Sequence, residues 1–252
     1  MMSKRVSFLI LVMLVVSSIR AQQYVGQSGL IHVPSADMDT AGVARIGLHY
    51  IPKEMMPDRM TCDNEKFNSL TNYLSLTVFR WVQVSYGYTL WKMHRNQKPY
   101  NKTGFYTKDR YFSLKLQPIR EDKWWPSVVV GGNDVWGSSE DGKSGSNFYR
   151  NYYVAMSKHV DLGGYLIGGH IAYRDWKLNS NHKWNGVVGG LTLQPSFYRP
   201  LRFIGEYDGE YVNIGADCTL FRYVMLQASL QKCQYFSGGV CLRIPLVRMN
   251  KL

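Results

Sequence analysis

The chain has 252 residues, 45% hydrophobic and 14% aromatic, with a formal net charge of +12. That length suits one large domain, and no proline- or serine-rich linker divides it. Four cysteines are too few to organise such a chain through disulfides, and beyond residue 21 no apolar run is long enough for a membrane-spanning helix.

Residues 1–21 read as a secretory signal peptide: Lys4 and Arg5 precede the apolar run Val6 to Val16, and Ala21 closes the segment before Gln22. Its removal takes away Lys4, Arg5 and Arg20 and leaves the mature chain at +9. The first cysteine, Cys62, lies far from the cleavage site, which argues against a lipidated N-terminus. The remaining basic excess favours an acidic partner such as an anionic polysaccharide or lipopolysaccharide, set against the plainer reading of a solvated basic surface. No nucleic-acid partner is expected.

Residues 22–42 form a separate N-terminal segment. Within it, Gly29 to Met38 (GLIHVPSADM) is too apolar for a solvated leader and too broken for a helix. Pro34 has no N–H for a sheet ladder and holds Val33 extended, so this is no ordinary central strand. The segment is expected at the mouth or inner wall of a barrel, with Leu30, Ile31 and Val33 covering apolar wall residues and Ser35 and Asp37 placed to cap the turn into the first strand.

From residue 43 to 252 the apolar residues alternate with polar ones. Ala44, Ile46, Leu48 and Tyr50 share one face of a strand, and Arg45, Gly47 and His49 the other. The same division recurs at Leu74, Leu76 and Val78, at Val82, Val84, Tyr86 and Tyr88, at Phe112, Leu114 and Leu116, and at Val224, Leu226, Ala228 and Leu230. Strands are predicted near 43–51, 70–79, 81–91, 107–117, 126–135, 148–158, 162–173, 185–194, 200–207, 210–219, 222–231 and 234–244. Long polar connections at 52–69, 92–106, 136–147 and 174–184 alternate with tighter ones around Arg80, 118–125, Lys158 to Asp161, 195–199 and Phe221, and Asp208-Gly209 reads as a two-residue hairpin turn. A sandwich with crossovers does not produce that alternation. The expected fold is all-β, an antiparallel up-and-down transmembrane barrel of about twelve strands. Trp81, Trp91, Trp124, Trp125, Tyr165, Tyr173, Trp176 and Tyr207 fall near strand ends, where interfacial girdles lie, although aromatics are common in strands generally.

Four blocks carry a resemblance. GLIHVPSADM followed by Asp39 to Gly47, then Lys108-Asp109-Arg110-Tyr111-Phe112-Ser113-Leu114-Lys115, Val128 to Gly137 and Tyr152 to Lys158, resemble the motifs of the YjbH-like family over residues 26–160. The resemblance implies a β-barrel serving outer-membrane steps of exopolysaccharide or capsule production. Several members are much longer, so any companion domain they carry is missing from this sequence.

No catalytic residue, cofactor or metal is expected. The cysteine spacings match no zinc module. His49 and His170 fall on the lumen face, without the nucleophile, base and orienter that a lipid hydrolase needs together at the lipid boundary. Glu206, Asp208 and Glu210 raise the question of glycoside hydrolysis, but lumenal ion pairs with Arg45, Lys115 or Arg202 explain them more simply, and Asp109, Arg110 and Asp134 are read in the same way as pairs that hold register. The candidate ligand surfaces are a lumenal ladder of Arg45, His49, Lys115 and Arg202 and loops bearing Trp91, Tyr100 and Trp176. The expected function is non-enzymatic assistance to polysaccharide export or attachment in the bacterial outer membrane, alongside lipopolysaccharide and periplasmic export proteins. The rival readings are a structural or porin-like barrel without a glycan role and a barrel hydrolase.

Overall fold

The computed structural model describes residues 22–95, 102–136 and 147–246. The leader expected at 1–21 and the loop residue Tyr100 lie outside them.

Twelve strands form one closed antiparallel barrel: β1 (Val43–Ile51), β2 (Ser69–Phe79), β3 (Val82–Arg95), β4 (Lys102–Ile119), β5 (Ser127–Asn133), β6 (Asn151–Leu162), β7 (Tyr165–Trp176), β8 (Gly186–Gln194), β9 (Leu201–Tyr207), β10 (Val212–Leu220), β11 (Val224–Gln231) and β12 (Tyr235–Pro245). Each strand pairs with its sequence neighbours, and β1 closes the ring on β12 from Val43↔Pro245 to Tyr50↔Gly238. This is the up-and-down barrel that the alternation predicts.

The period-2 pattern decides which face turns inward. Ile46, Leu48, Leu74, Val154, Ile171, Leu191 and Leu242 stand exposed on the outer surface, while Arg45, His49, Thr71, Gln83, Lys115, His170, Arg202 and Gln227 are buried inside. The outer wall is thus largely apolar, and the interior is polar. Lumenal glycines also admit close packing. Gly47 faces Tyr73, Gly87 faces Tyr111 and Gly131 faces Tyr153 across neighbouring strands. A Cβ on these glycines would sit 2.2 Å, 2.4 Å and 2.5 Å from the facing ring.

Several connections differ from expectation. Pairing in β3 and β4 runs on to Arg95↔Lys102, so much of the expected 92–106 loop is strand. The turn expected at Lys158 to Asp161 lies further on, because β6 and β7 pair as far as Leu162↔Tyr165 and Gly163-Gly164 supply the two positive φ angles, +58° and +86°, of a tight hairpin. Asp208-Gly209 belongs to a four-residue connection, since Tyr207 pairs with Val212. The Asp208 carboxylate organises it by accepting the N–H groups of Glu210 (3.0 Å) and Tyr211 (2.9 Å). Cys62, Cys218, Cys233 and Cys241 are all free thiols, which excludes the two disulfides they had the number to form.

Two ends result. At one lie the turns at 80–81, 120–126, 163–164, 195–200 and 221–223, studded with exposed Trp81, Trp124, Trp125, Phe197 and Phe221. At the other lie the longer loops. There the connection after β1 folds back over the lumen, and its Met55, Met56 and Met60 are buried with Ile51, Trp91, Tyr149, Trp176 and Trp184. Trp91 and Trp176 are thus interior residues and join neither a lipid girdle nor an exposed glycan-facing loop, because their parity points them into the barrel.

Candidate functional site

The lumen is filled by the N-terminal segment. Leu30, Ile31, Val33 and Ala36 are wholly buried against Val129, Tyr153, Ala155, Ala172, Val188 and Ile204, an apolar patch on the inner wall of β5 to β9. Complete burial of each larger side chain stabilises by about 1.5–3 kcal/mol. Proline at 34 keeps the segment from continuing as a strand, so its backbone polar groups need wall side chains as partners.

The wall supplies them. The Glu206 carboxylate accepts the consecutive backbone N–H groups of Ile31 (2.9 Å), His32 (2.8 Å) and Val33 (3.1 Å), and also Asn213 Nδ2 (3.0 Å). The Lys115 ammonium donates to the carbonyls of Ser28 (2.8 Å) and Asp37 (2.7 Å). Gln83 Oε1 accepts Ser28 N–H, Gln117 Nε2 donates to Ala36 O, and Tyr153 donates to Gln27 Oε1. Arg45 binds Asp39 at 2.8 Å, and Arg202 joins Asp217 (3.0 Å) to the Gly29 carbonyl (3.3 Å). Ser35 Oγ accepts Asp37 N–H at 3.2 Å, closing the turn after Pro34.

The second hub surrounds His32. Its ring stacks on Tyr24 at 5.2 Å and meets the edge of Trp184 at 5.0 Å, while Arg174 donates to His32 O (2.9 Å), Asp208 O (2.8 Å) and Trp184 O (3.3 Å). Burial, reinforced by the Arg174 charge, pushes the His32 pKa down to about 4. The ring is therefore neutral at pH 7, and its 3.4 Å contact with Asp208 is no ion pair under that condition. Burial alone would raise the Asp208 pKa. Contacts with His32, Tyr211 N–H and Asn213 outweigh it and hold the carboxyl below its ordinary range.

Arg45, Lys115 and Arg202, expected in a ladder for a glycan, are buried and engaged with the plug or with Asp217, and His49 meets Ser237 Oγ at 3.1 Å. Their ladder offers no open surface in this structure. Nor do the acids pair with those cations. Glu206 holds backbone N–H groups, Asp208 faces His32, and Glu210 lies 3.6 Å from Lys183. Asp109 and Arg110 are consecutive residues of β4, so the first is buried inside while the second is exposed outside and the two do not share a face. Asp134 adopts φ +53° just after β5, and burial lifts its pKa to about 6 against the opposing pull of Arg150.

One pair went unseen in the sequence. Ser157 and His170 lie directly opposite each other on β6 and β7, with Oγ 2.8 Å from Nδ1. Ser157 Oγ also accepts Ala36 N–H, and His170 Nε2 lies 3.1 Å from the Thr192 hydroxyl. The pair is buried beneath the plug. Its strand register was the missing signal. Arg174 was legible only as an inward-parity residue of β7, and nothing in the sequence named its three carbonyl partners.

At the long-loop end, a cleft of about 690 Å3 is lined by Lys53, Lys66, Phe67 and Lys92 together with Glu54 and Glu65.

Solved structures show a loose likeness. The Salmonella typhi outer membrane phospholipase (OMPLA) dimer with bound calcium is 13% identical, with 81% of this chain and 90% of that chain covered at a TM-score of 0.35. Escherichia coli outer membrane phospholipase A is 12% identical, with 81% and 95% covered at a TM-score of 0.34. Comparison with curated proteins gives no match. The family model described as "Exopolysaccharide biosynthesis protein YbjH" matches residues 21–168, more than half of the 252 residues. Those residues hold the plug and its Lys115, Gln117 and Ser157 contacts, and the chain belongs to the YjbH family.

Proposed function

We propose that this protein is a non-enzymatic outer-membrane component that assists export or surface attachment of an exopolysaccharide, working as a closed barrel through its surfaces. Family membership supports the polysaccharide connection. The observation that carries the closed-barrel reading is the total burial of Leu30, Ile31 and Val33 within the lumen, beneath the Met55, Met56 and Met60 cap. A polymer chain has no room to pass through such an interior. In this reading the turn end, with its exposed Trp124, Trp125 and Phe197, faces the periplasmic leaflet and export partners, and the long loops face lipopolysaccharide and the outside.

The cleft of Lys53, Phe67 and Lys92, where Lys66 is held by Asp58 and Glu54 and Glu65 also stand, is the docking surface that takes the place of the occupied lumenal ladder. Ammonium groups meet uronate carboxylates there, and the Phe67 ring offers a face to a sugar. Two measurements test the proposal together. Purified protein in planar bilayers should show no sizeable open pore, and deleting its gene should reduce surface polysaccharide while leaving small-solute permeability unchanged. A large steady conductance with unchanged polysaccharide would instead establish the porin-like role.

A further inference from the structure

We infer that Asp37, His159 and His170 form a binding site for a zinc-type divalent cation that clasps the N-terminal plug to the barrel wall. The inference does not depend on the polysaccharide role. The carboxylate comes from the plug, and the two imidazoles come from β6 and β7. One ligand atom from each residue lies within 4.8 Å of the other two.

The distances approach those of a coordinated ion. Zinc bonds of about 2.0–2.2 Å in a tetrahedral arrangement put neighbouring donors about 3.3–3.5 Å apart. His159 Nε2 and Asp37 Oδ1 are 3.6 Å apart. Glu121 Oε2 lies 2.7 Å from His159 Nδ1. A proton on that nitrogen leaves the Nε2 lone pair directed toward Asp37, the outer-carboxylate arrangement that fixes metal-binding histidines. Ser157 can do the same for His170 by accepting its Nδ1–H at 2.8 Å, so that an ion replaces the Thr192 hydroxyl at Nε2.

The surroundings agree. Both imidazoles close over Gly168, where a Cβ would sit 2.8 Å from His159 Cδ2 and 2.9 Å from His170 Nε2, so only glycine permits this approach. Arg202 approaches the other Asp37 oxygen, Oδ2, at 3.9 Å. Asp37 and the Glu121 that orients His159 also line a cavity of about 290 Å3 at the turn end, together with Gln117, Ser127, Arg80 and Arg120. Two nitrogens and one oxygen suit zinc and its borderline neighbours over calcium or magnesium, which prefer all-oxygen sites.

The test uses the full mature chain folded in detergent and stripped with chelator, then titrated with ZnCl2 by calorimetry and by thermal unfolding. One equivalent should bind and raise the unfolding temperature, whereas CaCl2 and MgCl2 should do neither. His159→Gln and Asp37→Asn should each weaken zinc binding by at least about tenfold, and Glu121→Gln by about tenfold. Cys62→Ser should leave it unchanged, which separates this site from the loop group Cys62, Asp63 and His94, whose ligand atoms also lie within 4.8 Å of one another. Co2+ bound to the unmutated protein should give the intense visible bands of a four-coordinate ion, a readout that needs no variant to fold. Absence of zinc binding, weak six-coordinate cobalt bands, or binding lost with Cys62→Ser but kept in His159→Gln would overturn the site.

Discussion

Glu206 is a principal anchor of the plug, because one carboxylate answers three consecutive backbone N–H groups, those of Ile31, His32 and Val33. Glu206→Ala strands those donors in a buried site, at about 1–3 kcal/mol for each group left unsatisfied, while Glu206→Gln keeps one acceptor oxygen and loses less. Limited proteolysis within 26–38 should accelerate in the order wild type, Gln, Ala, and equal rates in all three would refute the role given to this residue. His32 sets a pH dependence. Its pKa falls from 6.5 unfolded to about 4 folded, so the unfolded chain binds more protons between those values and stability declines as pH drops through that window, by up to about 3 kcal/mol. Below the ordinary carboxyl pKa of 3.8, Asp208 adds a loss of the same sign, since its folded pKa is depressed. Thermal unfolding measured from pH 7.5 to pH 4.5 should show the decline, and His32→Gln should flatten it.

Most strands were readable from the sequence to within a few residues because an apolar outer face and polar side chains within impose a strict period of two, as at Ile46 and Leu48 against Arg45 and His49. Hairpin positions were less readable. The turn at Phe221 fell where expected, but the one after β6 is fixed by the positive φ angles of Gly163-Gly164, a backbone conformation that polarity does not encode. The cation partners were also hidden. Parity puts Arg45, Lys115 and Arg202 inside, yet only the folded chain shows that the carbonyls of Gly29, Ser28 and Asp37 occupy two of them and that Asp39 takes the third. Ser157 and His170 needed the β6–β7 register, and Asp37 with His159 needed the plug's path. The plug as an element is testable through its apolar side. Ile31→Ala should cost about 2–5 kcal/mol, read as a lower unfolding temperature of the purified barrel. Deleting 22–38 should convert a silent barrel into a conducting one, and an unchanged bilayer record would show that other parts close it.

At the scale of the molecule, an apolar outer wall predicts a protein that stays folded only with detergent or lipid and migrates differently on gels before and after heating. A mature chain that remains dispersed in plain buffer would contradict the transmembrane barrel. The basic cleft gives a further whole-molecule test. Lys53→Glu combined with Lys92→Glu should weaken retention on an immobilised acidic polysaccharide without changing gel mobility, and unchanged retention would remove the cleft from the proposed function. The seam from Val43↔Pro245 to Tyr50↔Gly238 constrains assembly, because the plug lies immediately upstream of β1 yet inside the finished ring. Closing the seam last lets the ribbons wrap around the tail as a mandrel, and in pulse-labelled hydrogen exchange the amides of Ile31 to Val33 should then gain protection no later than those joining the first ribbon to the last.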